Sequence, residues 1–305
     1  MPRRPRGRSI GAMAIDGQFY FKIVPESRGE KANMKIALVQ QRATADREAN
    51  RRRGLEAVEA AAWAGARLIA FAELAFDPFY PQDQATEELL QRAEPVPGPT
   101  TDRFAAAARD LGVALVLNVF ERDGDRTFDT SPVIDADGTL LGKTRMVHIT
   151  EYACFHEQGY YAPGDSGVPV YDTRFGRIGV AICYDRHYPE YMRALALRGA
   201  QAVFVPQAGA VDEWPEGLYE AEMRVAAFQN GYFAALCNRV GTEPRLTFAG
   251  ESFVCDPTGR VVARAGRETE EILHCDLDLD MVENSHARRL FLRDRRPELY
   301  GQWLK

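Results

Sequence analysis

Arg177-Ile-Gly-Val-Ala-Ile-Cys183 is an apolar stretch that predicts a buried strand, and the polar run Tyr184-Asp-Arg-His187 follows it directly. A helix is expected to begin at Pro189, because proline is favoured at the first position of a helix. The thiol of Cys183 therefore ends a strand just ahead of a helix, where open α/β sheets carry their chemistry. A nearby helix N-terminus and cationic neighbours favour a thiolate, so Cys183 is the predicted nucleophile.

Strands and helices alternate along most of the remaining chain. Apolar runs predict strands at residues 35–40, 67–72, 113–119, 202–205 and 232–237. The predicted helices between them, besides the one at Pro189, cover residues 47–65, 101–111 and 216–230. Thr101 is expected to cap the second of these helices. Strands that alternate with helices of about 10–15 residues indicate βαβ units.

Two segments interrupt this alternation and resemble each other. Val133-Ile-Asp-Ala-Asp-Gly138-Thr-Leu-Leu and Val254-Cys-Asp-Pro-Thr-Gly259-Arg-Val-Val both read as strand, turn and strand. Asp-Gly and Pro-Thr-Gly are residues that favour hairpin turns. The repeated hairpin predicts an α/β fold in which two mixed sheets pack face to face with helices outside.

The domain organisation expected from this pattern is a single domain over residues 34–305. The first clean strand begins at Met34, which is also a plausible second start of translation. Residues 1–33 contain Arg, Gly and Ser with little periodicity, and they are predicted to form a poorly structured tail.

Composition and charge exclude several classes of protein. The 305 residues carry a formal net charge of −6, which makes nucleic acid an improbable partner. No apolar run approaches the length of about 18 residues that a membrane helix needs, and residues 1–33 lack a secretory signal. The five cysteines are odd in number and show no C-x-x-C spacing, which argues against a disulfide framework and a zinc site. A protein in a reducing compartment, the cytoplasm, is expected.

Two carboxylates are further candidates for the site. Glu73 ends the apolar run 68–73, where a buried carboxylate is costly unless it is solvated, paired or functional. Glu157 lies in the polar segment 155–165. The ordinary alternatives are a strand-end turn for Glu73 and a solvated loop for Glu157.

These residues belong to a series of strings that occur in a fixed order. The strings are Phe-Ala-Glu73-Leu-Ala-Phe, Gly142-Lys-Thr-Arg with His148, Glu157 with Tyr-Tyr-Ala-Pro-Gly-Asp165, Ile182-Cys-Tyr-Asp-Arg-His-Tyr-Pro-Glu190, Asn238-Arg-Val-Gly241, Asp256-Pro-Thr-Gly259 and Arg293-Asp-Arg-Arg-Pro-Glu-Leu-Tyr300. From about residue 34 to residue 300 the chain resembles the carbon–nitrogen hydrolases of the nitrilase superfamily.

The resemblance implies a fold, a catalytic set and an assembly. The fold would be a four-layer α-β-β-α sandwich that pairs into homodimers or larger homo-oligomers through its outer helices. The catalytic set would be Glu, Lys and Cys with a second supporting Glu. The base then falls on Glu73, the nucleophile on Cys183 and the supporting carboxylate on Glu157. The substrate would be a small molecule, with no cofactor and no metal.

The lysine of this set has no counterpart, because its position is occupied by Met146. The spacing from Met146 to Cys183 and to Glu157 fits the family without gaps, and Lys143 and Arg145 face the other side of a strand. Losing one oxyanion stabiliser costs about 100- to 1000-fold in rate. Either another cation or donor compensates, such as His148, a substrate group or an arginine, or activity is weak or absent.

The residues after Cys183 bear on the substrate. Arg186 and His187 make the string most similar to N-carbamoyl amino acid hydrolases and β-ureidopropionases, whose substrates carry a carboxylate that a guanidinium can bind. The alternative is that Arg186 pairs with Asp185 or Glu190. The backbone N–H of Tyr184 is expected to help hold the oxyanion.

The sequence therefore predicts a cysteine-dependent hydrolase of amide or N-carbamoyl C–N bonds, acting on a small carboxylate-bearing substrate. One alternative is a catalytically impaired member that binds a ligand or protein, and another is an aliphatic amidase or nitrilase. On the predicted helix 216–230, Glu220, Glu222 and Arg224 either reach the pocket or form an exposed face with a Glu220–Arg224 pair.

Overall fold

The computed structural model describes residues 11–15, 18–22 and 33–303, in two compact units. In the first unit, strands β1 (Gly11–Ile15) and β2 (Gln18–Lys22) pair antiparallel. Most of the predicted tail 1–33 lies outside the described residues, so its lack of structure stays a prediction. The second unit, Asn33–Lys305, contains every predicted site residue.

Fifteen further strands occur in the second unit's described part. They are β3 (Asn33–Gln40), β4 (Leu68–Phe71), β5 (Ala114–Val116), β6 (Val119–Asp123), β7 (Arg126–Ile134), β8 (Leu140–Arg145), β9 (Val170–Thr173), β10 (Gly176–Val180), β11 (Ala202–Gln207), β12 (Phe233–Asn238), β13 (Val240–Thr242), β14 (Thr247–Ala249), β15 (Phe253–Cys255), β16 (Val261–Arg264) and β17 (Glu271–Asp278).

These strands form two large mixed sheets. The first has the order β17-β3-β4-β5-β7-β6, with β8 paired to β7, and the second has the order β16-β15-β12-β11-β10-β9. In the first, β3, β4 and β5 run parallel, and in the second β10, β11 and β12 do. The strands β13 and β14 form a separate hairpin.

Both predicted hairpins are present. The first joins β7 to β8, where Asp135 N–H donates to Thr139 O at 2.8 Å. The second joins β15 to β16, where Asp256 N–H donates to Arg260 O at 2.9 Å. Each brings an antiparallel pair to a sheet that is otherwise built around parallel strands.

The four predicted helices are present, three of them with a boundary shifted by two residues, and three short helices were not predicted. They are α1 (Arg47–Trp63), α2 (Glu87–Leu90), α3 (Pro99–Leu111), α4 (Pro189–Leu197), α5 (Leu218–Asn230), α6 (Asp280–Glu283) and α7 (Pro297–Trp303). The prediction that Thr101 caps α3 is wrong, because Pro99 takes the first helical position and Gly98 becomes the cap. The Thr101 hydroxyl instead accepts a hydrogen bond from Gly98 N–H at 2.6 Å. None of the helices in the described ranges has the length and apolar character needed to span a bilayer.

Three buried apolar clusters show how these elements pack. One contains residues of both sheets, for example Leu38 and Ala70 of the first and Val180 and Phe204 of the second. Another covers the outer face of the first sheet with α1 and α3, and the third covers the second sheet with α4 and α5. The predicted α/β fold with two mixed sheets is confirmed, and the packing agrees with the four-layer order.

Candidate active site

The two principal candidate residues follow parallel strands of different sheets. Glu73 comes two residues after the end of β4, and Cys183 comes three residues after the end of β10. Cys183 has φ = 40°, and Leu74, next to Glu73, has φ = 45°. A non-glycine residue in this left-handed region costs about 1–3 kcal/mol, and such strain concentrates at functional sites. Both turns therefore hold their side chains at an energetic cost.

The side chains of Glu73 and Cys183 lie close together. Glu73 is completely buried, whereas Cys183 keeps 7% of its surface exposed. Burial and then the charge of Glu157 raise the pKa of Glu73 from its usual 4.5 to about 8, although the nearby Cys183 thiol acts in the opposite direction. A carboxyl group whose pKa lies near neutrality can both take and return a proton at physiological pH.

Asp129, on β7, is a third buried carboxylate that sequence reasoning missed. It is 1% exposed, accepts a hydrogen bond from Asn118 Nδ2 at 2.5 Å, and lies close enough to Glu73 for the charge of that acid to act on it. Burial, followed by the charge of Glu73, raises the pKa of Asp129 well above its ordinary value. The sequence offered little signal for this residue, because Asp129 is followed by the polar Thr130 and Ser131 and only the structure shows that all three are buried.

Glu157 completes the group of acids. It begins a 3₁₀ turn, is completely buried, and accepts a hydrogen bond from Thr150 N–H at 3.3 Å. Burial and then the charge of Asp129 raise its pKa well above the ordinary value. The structure thus brings Glu73, Asp129 and Glu157 together around Cys183.

The resting state of the thiol differs from the sequence expectation of a stabilised thiolate. Burial and then the charge of Glu73 raise the pKa of Cys183 well above its ordinary value, and the charge of Arg186 only partly opposes this. The expectation was wrong because it counted the local cations and helix terminus but not the acids brought from distant segments. The thiol must be deprotonated when substrate is bound.

Asp185 ties the turn after Cys183 to the segment after β8. This buried carboxylate accepts hydrogen bonds from Val147 N–H at 3.2 Å and from His148 N–H at 3.0 Å, and it contacts His148 Nδ1 at 2.7 Å. The His148 ring stacks on Tyr188 with centroids 3.4 Å apart. His148 was one candidate to replace the missing lysine, but its Nδ1 is already engaged by the Asp185 carboxylate.

Arg186 and His187 both turn towards α5. Arg186 donates to Cys183 O at 2.8 Å, lies 3.4 Å from Glu222, and stacks over the ring of Tyr219. His187 Nδ1 contacts the same Glu222 carboxylate at 2.7 Å. The acid beside Arg186 is thus Glu222, rather than Asp185 or Glu190.

Of the two expectations for α5, one holds for Glu222, which reaches the site, and the other holds for Glu220 and Arg224, which form an ion pair. Glu222 reaches the site through Arg186 and His187, whereas Glu220 pairs with Arg224 at 3.2 Å on a more exposed face.

Met146 follows β8 directly and is buried, while its charged neighbours face away from it. Lys143 forms an ion pair with Glu121 and donates to Val96 O at 3.1 Å. Arg145 also pairs with Glu121, on the face opposite Met146. This alternation is what the strand pattern predicts, and neither cation contributes its charge at the position of Met146.

Arg239, which follows β12, is another residue that sequence reasoning left without a role. It is 1% exposed and donates from Nη1 to the main-chain oxygen of Glu73 at 2.9 Å and also to that of Leu74. Its Nη2 donates to Asp77 O at 3.1 Å and forms an ion pair with Glu243. Arg239 therefore holds the strained turn that carries Glu73.

A cavity of about 370 Å³ adjoins the site without containing Cys183 or Glu73. Trp214 and Tyr219 line it, and they also contact His187 and Arg186. Between the two regions, Glu213 accepts hydrogen bonds from Tyr152 and Tyr219.

The backbone N–H of Tyr184 has a position suited to its predicted role. Tyr184 is the second residue of the 3₁₀ turn Cys183–His187. The first N–H groups of a helical turn lack partners within the turn and can donate to an anionic oxygen. The role of Tyr184 in holding an oxyanion stays a prediction.

Comparisons with known proteins agree with this arrangement. Residues 35–287 match the family model described as carbon-nitrogen hydrolase. An N-carbamoylputrescine amidase from Solanum lycopersicum is 36% identical over 279 residues, covering 87% of this chain and 93% of that protein. A citrullinase from Francisella tularensis is 31% identical over 283 residues, covering 89% of this chain and 98% of that protein.

A solved structure gives the same result at the level of the fold. The carbon–nitrogen hydrolase from Helicobacter pylori G27 superposes with a TM-score of 0.83 at 29% sequence identity, covering 90% of this chain and 99% of that one. The family match over residues 35–287 and the similarity to these relatives show that this chain belongs to the carbon–nitrogen hydrolase family.

Proposed function

We propose that this protein hydrolyses a C–N bond of a small amide or N-carbamoyl compound, with Cys183 as nucleophile and Glu73 as general base. The observation that carries the proposal is the position of the Cys183 thiol beside the buried carboxyl group of Glu73, whose pKa is about 8. The names of the similar proteins, N-carbamoylputrescine amidase, citrullinase and β-ureidopropionase, support the same class of bond.

The first half of the reaction forms a covalent intermediate. Glu73 takes the thiol proton, and the sulfur attacks the carbonyl carbon of the substrate. The Tyr184 N–H donates to the oxygen that becomes negative. Glu73 then returns the proton to the leaving nitrogen, and ammonia or an amine departs, leaving a thioester-type intermediate on Cys183.

The second half releases the product. Water loses a proton to Glu73 and attacks the carbon of the intermediate, and the C–S bond breaks to restore the thiol. In this proposal Glu157 orients Glu73 or the substrate, and the effect of its charge on the pKa of Glu73 supports its closeness to that acid. No redox change occurs in either half.

The role of Arg186 in binding a substrate carboxylate stays part of the proposal. Its guanidinium already contacts Cys183 O and lies near Glu222, so a substrate carboxylate would have to share it with that acid. The same experiment that tests the reaction tests this role, through a comparison of substrates with and without a carboxylate.

The deciding experiment measures ammonia release from 3-ureidopropionate, N-carbamoyl amino acids and simple amides. The unmodified chain should release ammonia from at least one of them, and Cys183→Ala should release none. Cys154→Ala, at another free cysteine of intermediate burial, is the matched control and should retain activity. Equal release by the Cys183→Ala variant would exclude the proposed nucleophile.

A binding protein without turnover is the second candidate, because Met146 occupies the position where the family resemblance implies lysine. That candidate predicts saturable binding of the same compounds with no ammonia release from any of them. The same panel, followed by calorimetry, separates the two functions.

We also propose a cytoplasmic homodimer that forms through the outer helices. Val225 and Phe228 of α5 and the nearby Phe291 are 51%, 36% and 36% exposed, and the rings of Phe228 and Phe291 lie 5.3 Å apart. Exposed apolar groups that cluster in this way mark interaction surfaces. Light scattering should give twice the chain mass, and Phe228→Asp should give the monomer.

A further inference from the structure

The carboxylates around Cys183 have more acceptor atoms than the protein satisfies. Among the described residues, both oxygens of Glu73, one of Asp129 and one of Glu157 are buried without a hydrogen-bond donor. The hydroxyl of Tyr161, which is 5% exposed and interacts with all three acids, also has no partner there. Buried polar atoms are normally paired, so such a concentration points to a missing donor.

The terminal nitrogens of the two nearest guanidinium groups donate to other acceptors, although Nε of Arg186 and Nε of Arg239 are buried without a hydrogen-bond partner in the described part of the chain. Arg239 is occupied by main-chain oxygens of Glu73, Leu74 and Asp77 and by the carboxylate of Glu243. Arg186 donates to Cys183 O and lies beside Glu222. Neither guanidinium donates to the unpaired oxygens of the three acids. No group of metal-binding side chains occurs within the described ranges either.

The residue opposite Asp129 is apolar. Thr130 of β7 pairs with Arg145 of β8, and Met146 N–H donates to Asp129 O at 2.9 Å, so Asp129 and Met146 are cross-strand neighbours. Side chains of such a pair lie on the same face of the sheet, with Cβ atoms about 4.5–5.5 Å apart. A thioether supplies neither positive charge nor a hydrogen bond donor to Asp129.

We propose that the group attacked by Cys183 is itself a cation, an amidinium or guanidinium carbon, which supplies the missing charge and donors to Glu73, Asp129 and Glu157. This inference rests on the proposed thiol nucleophile and general base, and it assigns them a cationic group in place of the neutral amide or N-carbamoyl group. A planar amidinium presents N–H groups in a fork that matches carboxylate oxygens. Its central carbon is the electrophile, so binding the nitrogens presents that carbon to the sulfur.

The chemistry of attack fits an acidic site better than attack on an amide does. An amide develops a negative oxygen, which each of the three acids would repel whenever it is ionised. A guanidinium loses its positive charge when sulfur adds to carbon, so no oxyanion forms in that step. The bound cation also opposes the negative charges that raise the pKa of the Cys183 thiol.

The reaction balances without any co-reactant except water. Glu73 takes the thiol proton, sulfur bonds to the guanidinium carbon, and the proton passes from Glu73 to an amino group, which leaves as ammonia. Water then gives a proton to Glu73 and bonds to carbon, the C–S bond breaks, and the sulfur recovers a proton. A guanidinium and water thus give a ureido compound and ammonium.

The test compares isosteric cationic and neutral probes. Calorimetry with the Cys183→Ala variant, which prevents turnover, measures binding of acetamidinium and acetamide. Acetamidinium is expected to bind at least about tenfold more tightly, because it forms charge-assisted hydrogen bonds. Titrations in buffers of different ionisation enthalpy should show protons released on binding acetamidinium and none on binding acetamide, since the cation favours ionised acids.

Two further variants identify the acids responsible. Asp129→Asn in the same background should reduce the preference for acetamidinium at least about tenfold, and Met146→Lys should abolish it by supplying a competing cation. Asp172→Asn, in an exposed ion pair, is the control and should leave the preference unchanged. Equal or tighter binding of acetamide, or a preference unaffected by both variants, would overturn the inference.

Turnover by the unmodified chain separates this inference from the proposed function. Release of ammonia from 3-guanidinopropionate with a kcat/KM above that for 3-ureidopropionate supports both the hydrolase and the cationic substrate. Ammonia from the ureido compound or amides alone overturns the cationic substrate and leaves the hydrolase. No ammonia from any probe overturns the hydrolase, while the binding comparison still decides whether the site prefers a cation.

Discussion

Arg239 donates to the main-chain oxygen of Glu73 at 2.9 Å, and so joins the end of β12 in one sheet to the end of β4 in the other. The guanidinium is almost completely buried, and it also pairs with Glu243. This contact fixes the turn that presents Glu73 to Cys183. It links the stability of the sandwich to the geometry of its candidate catalytic pair.

Replacing Arg239 by Gln should lower the free energy of unfolding by about 3–5 kcal/mol, because it leaves Glu243 without its cation and three carbonyl oxygens without their donor. Urea denaturation at pH 7 measures the change. Arg267→Gln, at a position whose side chain is 57% exposed, is the control and should change stability little. Similar losses in both variants would contradict the bridging role.

Glu73→Gln should lower kcat by about 100- to 10,000-fold, because the amide cannot take the thiol proton. Alkylation of Cys183 by iodoacetamide, followed by mass spectrometry, should slow in the same variant. Glu190→Gln, which removes an exposed acid near the nucleophile turn, should affect neither rate. Unchanged alkylation and turnover in Glu73→Gln would show that another group is the base.

Met146→Lys should change the two substrate classes in opposite directions. Turnover of amides and ureido compounds should rise, because an ammonium beside Asp129 stabilises a negative oxygen, an effect of about 100- to 1000-fold for comparable donors. Turnover of guanidinium compounds should fall through repulsion. Met146→Leu, which conserves volume without charge, is the control. A fall in turnover of amides and ureido compounds would mean that the site is organised around the thioether.

Stability should decrease as the pH rises from about 4.5 to about 8. Glu73 has a pKa of about 8 in the folded protein and 4.5 as its ordinary value, so the folded state holds more protons across this window. The raised pKa values of Asp129 and Glu157 act in the same direction.

The Glu73→Gln variant tests this pH dependence of stability, because glutamine cannot bind or release the proton that Glu73 carries. The slope of unfolding free energy against pH should become shallower by up to about 1.4 kcal/mol per pH unit. Denaturation series at several pH values provide the measurement. An unchanged slope would show that Glu73 titrates alike in the folded and unfolded states.

Arg186→Gln should raise KM for 3-ureidopropionate at least about tenfold while leaving KM for propionamide nearly unchanged, if Arg186 binds the substrate carboxylate. Because Arg186 also donates to Cys183 O, kcat for propionamide reports any damage to the nucleophile turn. Parallel increases in KM for both substrates would assign Arg186 a structural role alone.

Local patterns of sequence were sufficient for much of the fold and for part of the site. The apolar runs that end at Glu73 and Cys183 predicted strands, and the alternation on β8 correctly placed Lys143 and Arg145 opposite Met146. These features depend on the period of a strand, which the order of neighbouring residues encodes directly. The family resemblance added Glu157, whose loop has no periodic pattern.

The tertiary structure decided which charges surround the thiol. Asp129, Glu157 and Arg239 come from segments far apart in the chain, and their contacts with Glu73 depend on how two sheets pack. Burial and mutual repulsion raise the pKa of Cys183 and Glu73, reversing the thiolate expected from nearby residues. The order of residues therefore determined where the two strands end. The packing of the sheets determined how the pKa values of Glu73 and Cys183 are shifted, because electrostatic interactions act through space and depend on burial.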